Sequence, residues 1–414
     1  MILSLRRILG LNNKLPEYNL TGNVEFVGRK AYTDTFLTEA NNVDITDQFQ
    51  VRRRDGMDRV VFGNIHSIWS DGNVCLYREG TTLKLLSESY SYITLRNDLT
   101  SLKVPMNYLS LLGKVYYTDG YSNGVVEHEQ SRTWGLPIPT KPTINIISGN
   151  MIAGNYMVGI VHVRENGMIS GADNPDVKIV NNNSALQLSN IPVSSDATVK
   201  YVDIYLTRPS GSVMYFYRRL ANGTMTHTIN KVDLNASYPL QALNLHQTPM
   251  GNLIGYYNSR IYVVDGSVIW YSIPFSYEMF NLSEGHITME SNVNMIEAVK
   301  DGIWVGTNKK IYYFGGNNPP FRVDEKADYG VTKGSATIVP GDLVGEKFED
   351  NVIMFFTNEG ICIGGNGGLF RNLTRDNYSF PTSDIGTSLF KQRRGYSQYI
   401  VSLKKPINAE NIYE

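Results

Sequence analysis

The sequence predicts an all-β chain: a β-propeller of five to seven blades, some irregular, with an immunoglobulin- or fibronectin-like β-sandwich inserted between blades. Three observations predict it. Residues that suit a pleated surface dominate, with 27 Tyr and 15 Phe beside many Val, Ile and Thr, and long stripes of helical period are scarce. Short apolar runs face each other across Asp-Gly or Asn turns, as in "RIYVVDGSVIWYS" at 260–272. Such phrases also return at a regular spacing. Asp71 to Asp119 is 48 residues, Asp265 to Asn308 is 43 and Asn308 to Asn358 is 50, and periods of ~40–50 residues with several short strands suit propeller blades.

Residues 1–56 read as an N-terminal arm and entry strand. In "MILSLRRILGLNN" the arginines Arg6 and Arg7 interrupt a short apolar stretch, whereas a secretory leader begins with its positive residues. An amphipathic or docking arm over residues 1–10 is one reading. Residues 57–137 hold the first part of the propeller, with "IHSIWSDGNVCLYREGTTLKLL" at 65–86 and "YLSLLGKVYYTDGYSNGVVEH" at 108–128; Asp71 and Asp119 are their turn residues.

The 146 residues from Asp119 to Asp265 exceed one period by the size of a small sandwich, which sets the insert at 138–243. Its entry is proline-marked, "PTKPTINIISG" at 139–149. A strand at Tyr156–Val163 follows, then a Glu165-Asn166-Gly167 turn and further strands to Leu220. Tyr201, Ile204 and Leu206 are expected near its centre, and His162 on an exposed strand face. Residues 244–414 complete the propeller and a C-terminal segment, with Asp265, Gly266, Asn308 and Asn358 as structural turns.

The net charge is −1 and the pI is about 6.6, so bulk electrostatics do not favour a free-standing duplex binder. Cys75 and Cys362 are the two cysteines and read as buried structural thiols. The histidines His66, His128, His162, His227, His246 and His286 are never two to four residues apart. There is no His-Glu-x-x-His and no Gly-x-Ser-x-Gly, and the glycine runs "GGNNPP" and "GGNGG" lack the Lys-Ser or Lys-Thr of a phosphate loop. The expectation is no catalytic, cofactor-binding or metal site, no cofactor and no enzymatic activity.

A glycosidase would need two carboxyl groups roughly 5–9.5 Å apart, and Asp71, Asp119, Asp265 and Asp301 read more simply as turn-makers. "VRRRDG" at 51–56 is the one basic cluster. Its Arg52, Arg53 and Arg54 are candidate assembly contacts, through ion pairs or nucleic-acid phosphates. No segment approaches the ~20 apolar residues of a membrane-spanning helix.

The order of motifs resembles that of tail hub, nozzle and head-to-tail connector proteins of tailed bacteriophages. Gly10, Leu11, Asn12 and Asn13 match the opening phrase, Ala40, Asn42, Val43 and Asp44 the next, and Arg53, Arg54 and Gly56 the exit into the first blade. "GYYNSRIYVVDGSVIWYS", "DGIWVGTNKKIYYFGG" and "YGVTKGSATIVPGDLV" then follow in the same order, and Asp55 departs from the pattern where a proline often stands. The resemblance implies a structural virion protein, part of a homo-oligomeric ring around the DNA passage, with a hexamer as the family's usual form. Implied partners are copies of itself, neighbouring portal, connector or tail proteins, and passing genomic DNA in transient contact. The implied location is the virion tail or head–tail interface, after assembly in the host cytoplasm. Carbohydrate-binding or carbohydrate-cleaving propellers and generic protein-interaction propellers are the alternatives.

Overall fold

Apolar runs separated by short polar turns pair readily with their neighbours, so much of the chain forms local antiparallel meanders. In a computed structural model the described residues are 3–22, 24–27, 30–45, 50–54, 63–344, 348, 350–393 and 396–404. Among them the regular structure is strand, with short 3-10 turns at Glu17–Asn19, Gly341–Leu343 and Asn366–Gly368.

Contacts divide the chain into two compact units. One holds residues 63–254 and 259–288, and the other holds 1–62, 255–258 and 289–414.

The first unit contains two four-stranded meanders. The Trp69 sheet runs Ile65–Ser70, Cys75–Glu79, Thr82–Leu86, Tyr92–Arg96, and the Tyr116 sheet runs Asn107–Leu111, Lys114–Thr118, Asn123–Glu127, Gln130–Arg132. Leu76, Leu83, Val115 and Tyr117 of these sheets share one core with Leu99 and Met106. The Glu278 sheet contributes Arg260–Asp265, Val268–Ile273 and Ser276–Phe280, with His286–Thr288 paired to Val268–Ile273. Between them in sequence lie two packed layers. The smaller has the order Thr143–Met151, Ser184–Ser189, His227–Ile229. The larger has the order Val177–Val180, Gly154–Arg164, Val199–Thr207, Met214–Ala221, Asn235–Pro239. Tyr156, Val158, Ile160, Leu186, Leu188, Ile204, Leu206 and Ile229 fill the space between them.

The second unit has two further meanders. The Trp304 sheet runs Val293–Val299, Gly302–Thr307, Ile311–Gly315, Arg322–Ala327, and the Phe355 sheet runs Thr337–Val339, Val352–Thr357, Gly360–Gly364, Phe370–Asn372. Met295, Trp304, Tyr313, Ile353, Phe355 and Cys362 form their common core. The N-terminal segment contributes a three-stranded sheet in which Leu3–Leu11 pairs parallel to Lys30–Leu37. This segment is anchored to the C-terminal part of the same unit: the Asn13 side chain donates to Ser379 O at 3.0 Å and accepts from Ser379 N at 2.8 Å. Two hairpins, Val43–Ile45 with Val51–Arg53 and Gly386–Arg393 with Tyr396–Leu403, complete it.

These findings correct the expected fold class. Among the described residues every sheet is an open ladder of two to five strands and none closes into a propeller. The stretches expected to form one propeller body fall in different units. The supposed repeat also slips against the ladders. Asp71 sits in the first connection of its sheet, whereas Asp119, Asn308 and Asn358 sit in the second connections of theirs. Recurrent hairpins are what any antiparallel meander produces, so their spacing did not require a radial array.

The inserted fibronectin-like sandwich is corrected as well. The segment has eight described strands, and His227–Ile229 joins the smaller layer beside Ser184–Ser189 only after the three long strands of the larger layer are complete. Both layers belong to the same compact unit as the sheets that flank them in sequence. Ile204 and Leu206 are fully buried, as expected, but Tyr201 is 38% exposed.

Candidate functional site

The densest group of ionisable side chains lies in the first unit, where three strands bring one charge each. Arg132 closes the last strand of the Tyr116 sheet, Arg164 closes the long strand Gly154–Arg164, and Glu278 sits in the middle of Ser276–Phe280. A tight turn joins Glu127 to Gln130 on the strand that ends at Arg132, and another follows Arg164. Glu278 receives Arg132 as a two-pronged pair, Nη2 to Oε1 at 2.6 Å and Nη1 to Oε2 at 3.0 Å. Arg164 Nη1 reaches Oε2 at 3.3 Å, and the Gly135 backbone N–H donates to the same oxygen at 3.1 Å.

The network continues outward. Arg132 also meets Glu127, which pairs with Lys114 at 3.1 Å. Arg164 donates to the Thr133 hydroxyl at 2.6 Å and lies 3.5 Å from Asp196 Oδ2. Three cations thus meet three carboxylates. Burial pulls Arg164 below the usual arginine range, against the attraction of Glu278. Burial opposes ionisation of Arg132 too, but the hydrogen bond and charge of Glu278 outweigh it and raise its pKa. Arg164 Nε has no hydrogen-bond partner among the described residues.

Chemically, this cluster is already neutralised. Glu278 is 6% exposed and its lone pairs face guanidinium and amide donors. What the arrangement does is mechanical: it ties the Tyr116 sheet, the larger packed layer and the Glu278 sheet to one another. Trp134 adds a neutral tie, its indole N–H donating to Tyr277 O at 2.9 Å.

A second buried pair shows the same logic within the Trp69 and Tyr116 sheets. Arg78 and Asp119 side chains are both fully buried and 2.9 Å apart. The remaining guanidinium donors go to the carbonyls of Gly80, Thr100 and Leu102. Asp119 also accepts from the backbone N–H groups of Tyr121 and Ser122, so it does serve as a turn residue. Its second role, a counter-ion 41 positions away in sequence, had no local signal.

The other turn residues are placed as follows. Asp71 accepts from Asn73 and Val74 N–H groups, each at 2.9 Å. Asp265 is the last paired strand residue opposite Val268, and the turn proper is Gly266-Ser267, with Gly266 at φ +57. At Asn308 and Asn358 the buried hydroxyl of the preceding threonine does the local bonding. Thr307 Oγ1 accepts from Lys309 and Lys310, and Thr357 Oγ1 accepts from Glu359. Thr118, before Asp119, is buried in the same way and donates to Ser122 O at 3.3 Å. A Thr-Asp or Thr-Asn step closing a strand was the available signal.

Arg52, Arg53 and Arg54 are exposed on and beside the strand Val51–Arg53, and none joins the buried cluster. Arg54 pairs with Asp44 at 2.8 Å, a hydrogen bond that holds the Asp44 carboxyl below its usual range. Asp55 and Gly56 lie outside the described residues. His162 is buried, not exposed: its Nε2 lies 3.1 Å from Pro192 O, and burial lowers its pKa. Cys362 is buried and its thiol pushed up to about 11, chiefly by desolvation, whereas Cys75 is half-buried.

In the second unit, the "GGNGG" run forms a 3-10 turn whose Gly367 N–H donates to Asp301 Oδ2 at 2.8 Å. The anion it holds belongs to the chain itself. Asp301 Oδ1 accepts from the Tyr313 hydroxyl at 2.7 Å. Among the described residues, no group of three or more His, Cys, Asp or Glu could hold a metal ion.

No protein-family profile matches the chain, and no curated protein matches it. Solved structures give distant likenesses only. A streptogramin B lyase structure is 12% identical with a TM-score of 0.34, and the match covers 83% of this chain and 94% of that one. BBS1N, from a complex with ARL6DN, is 10% identical at a TM-score of 0.30, covering 82% and 87%. Sqt1 of Saccharomyces cerevisiae is 11% identical at 0.21, covering 72% and 94%. The resemblance to bacteriophage tail hub, nozzle and connector proteins is corrected by the fold: the described residues form open sheets with no closed propeller, and no family profile supports it. The ring around a DNA passage falls with the resemblance that implied it, and the carbohydrate and protein-interaction propellers fall with the propeller fold.

Proposed function

We propose that this chain is a non-catalytic structural scaffold that acts by associating with other protein chains, copies of itself included. The observation that carries this reading is the Glu278 cluster. Its charged side chains are spent in joining three sheets, and a site for proton transfer would need an acid or base with a lone pair or proton to spare. Rigid coupling of sheets suits a body that transmits shape to a neighbour.

The hairpin Val43–Ile45 with Val51–Arg53 is a contact element consistent with this role. It is held to the Tyr396–Leu403 strand through a hydrogen bond between Asp44 and Gln398, and it presents exposed Val51 beside Arg52, Arg53 and Arg54. Arginine forks suit carboxylate-bearing partners at such a surface.

Native mass spectrometry and light scattering of the purified chain test the association across a salt series. The expected result is a defined oligomer or partner complex that weakens when Arg52, Arg53 and Arg54 are replaced together by Ala. A monomer at all concentrations, combined with saturable turnover in a hydrolase panel that one carboxylate substitution abolishes, would replace the scaffold with an enzyme.

A further inference from the structure

The chain contains Asn-Gly steps at Asn123-Gly124, Asn166-Gly167, Asn222-Gly223 and Asn366-Gly367. At such a step the following residue has no Cβ to screen its backbone nitrogen. That nitrogen can attack the asparagine Cγ, forming a C–N bond in a five-membered succinimide ring while Nδ2 leaves as ammonia. Water then adds to either ring carbonyl and breaks one of the two C–N bonds, giving aspartate or isoaspartate. The fold decides which step can react, because the amide must rotate, Nδ2 must be free to leave and the glycine nitrogen must be available.

Three of the steps are held. Asn222 Nδ2 donates to Ser194 O at 3.0 Å and Val199 O at 3.4 Å, while Oδ1 accepts from Ser194 N at 3.0 Å. Asn366 Nδ2 donates to Asp350 at 2.8 Å, and the nitrogen that would attack, Gly367 N, is engaged by Asp301. Asn123 Nδ2 faces Thr248 O and Pro249 O, and its glycine lies inside a strand ladder facing Tyr117.

Asn166 differs in its exposure and in its amide nitrogen. It is exposed in the turn after the strand Gly154–Arg164, and its one side-chain hydrogen bond is from Met168 N to Oδ1 at 3.1 Å. That bond places an N–H donor on the oxygen that gains charge as the ring closes. Nδ2 has no partner among the described residues, and nothing lies within 4 Å of where a Gly167 Cβ would stand. Gly167 N donates to Arg164 O at 3.0 Å, so attack waits on opening of one turn hydrogen bond.

We propose that Asn166 is a site of spontaneous deamidation in the folded protein. Conversion adds a negative charge beside exposed Glu165, and the isoaspartate product lengthens the hairpin backbone by one methylene.

The test is peptide mapping of the intact protein after prolonged incubation in mildly alkaline buffer, with a urea-unfolded sample alongside. Aspartate and isoaspartate should accumulate at Asn166 in the folded protein while Asn123, Asn222 and Asn366 remain amides. All four should convert in urea. Asn166→Gln should remove the product without changing the melting temperature. If Asn166 stays an amide in the folded protein while converting in urea, or if another of the four steps converts faster in the folded protein, the proposal is overturned.

Discussion

The Glu278 cluster and the Asp301 loop do the same job in different surroundings. Each ties neighbouring sheets within its own unit through a carboxylate. Around Glu278 the partners are guanidinium groups, with side-chain exposures of 10% for Arg132, 2% for Arg164 and 6% for Glu278. Around Asp301 the donors are a backbone N–H and a tyrosine hydroxyl, and the nearby ion pair Lys300–Asp350 stands 72% and 40% exposed. The comparison teaches that a buried ionic tie is costly to break from one side, whereas an exposed one is cheap, because water re-solvates whatever is left behind.

The sharpest way to break that contrast is Glu278→Ala. It leaves Arg132 only Glu127 and Arg164 only Asp196 as carboxylate partners in a largely buried site, and removing one partner of such a set typically costs ~3–5 kcal/mol. Chemical denaturation should show the loss as a lower midpoint for the unit that contains Trp134. An unchanged midpoint would mean that water already reaches the cluster. Asp301→Ala should cost less, ~1–2 kcal/mol, since the freed Gly367 amide is exposed and the buried Tyr313 hydroxyl keeps its hydrogen bond to the Asp301 backbone O at 3.1 Å. Equal losses for the two variants would remove the distinction between them.

Backbone strain supplies a third measurement that is independent of charge. Gly266→Val forces a β-branched residue to φ +57, and thermal melts should register ~1–3 kcal/mol. A change under ~0.5 kcal/mol would show that the turn relaxes to another geometry.

Glu297 sharpens the comparison through pH. It stands half-buried in the strand Val293–Val299, opposite Trp304, and burial lifts its carboxyl from 4.5 to about 7. The folded state therefore holds its proton more tightly than the unfolded chain. The stabilisation is full below pH 4.5 and is lost as pH rises through about 7. Glu297→Gln should flatten stability across that window, and an unaltered pH profile would assign the decline to other groups. The smallest effect is expected from Arg54→Ala. Its pair with Asp44 is 53% and 30% exposed, so ~0.2–1 kcal/mol or less, fading with added salt, is the expected change in a melt.

Much of the local structure was legible in the sequence. Asp71 and Asp119 bond their own turns because an aspartate oxygen reaches backbone N–H groups two and three residues ahead whatever the rest of the chain does. Gly266 is required by a left-handed turn, and the alternation that buries Ile204 and Leu206 follows from strand period. The Thr118, Thr307 and Thr357 hydroxyls were equally readable, since their donors and acceptors lie within four residues.

Only the tertiary structure decided which sheets share a core and which charges meet. Arg78 finds Asp119 across 41 positions, and Arg132 finds Glu278 across 146. Hairpin spacing suggested a single closed array, yet spacing constrains only the length of each meander and says nothing about its neighbour. His162 went the same way: strand alternation permitted an exposed face, and packing against the Pro192 segment buried it. The division has one physical cause. Turn and strand preferences are set by forces acting over a few residues. The dielectric around a charge, and the identity of its partner, are set by chain segments that meet only after those local choices are made.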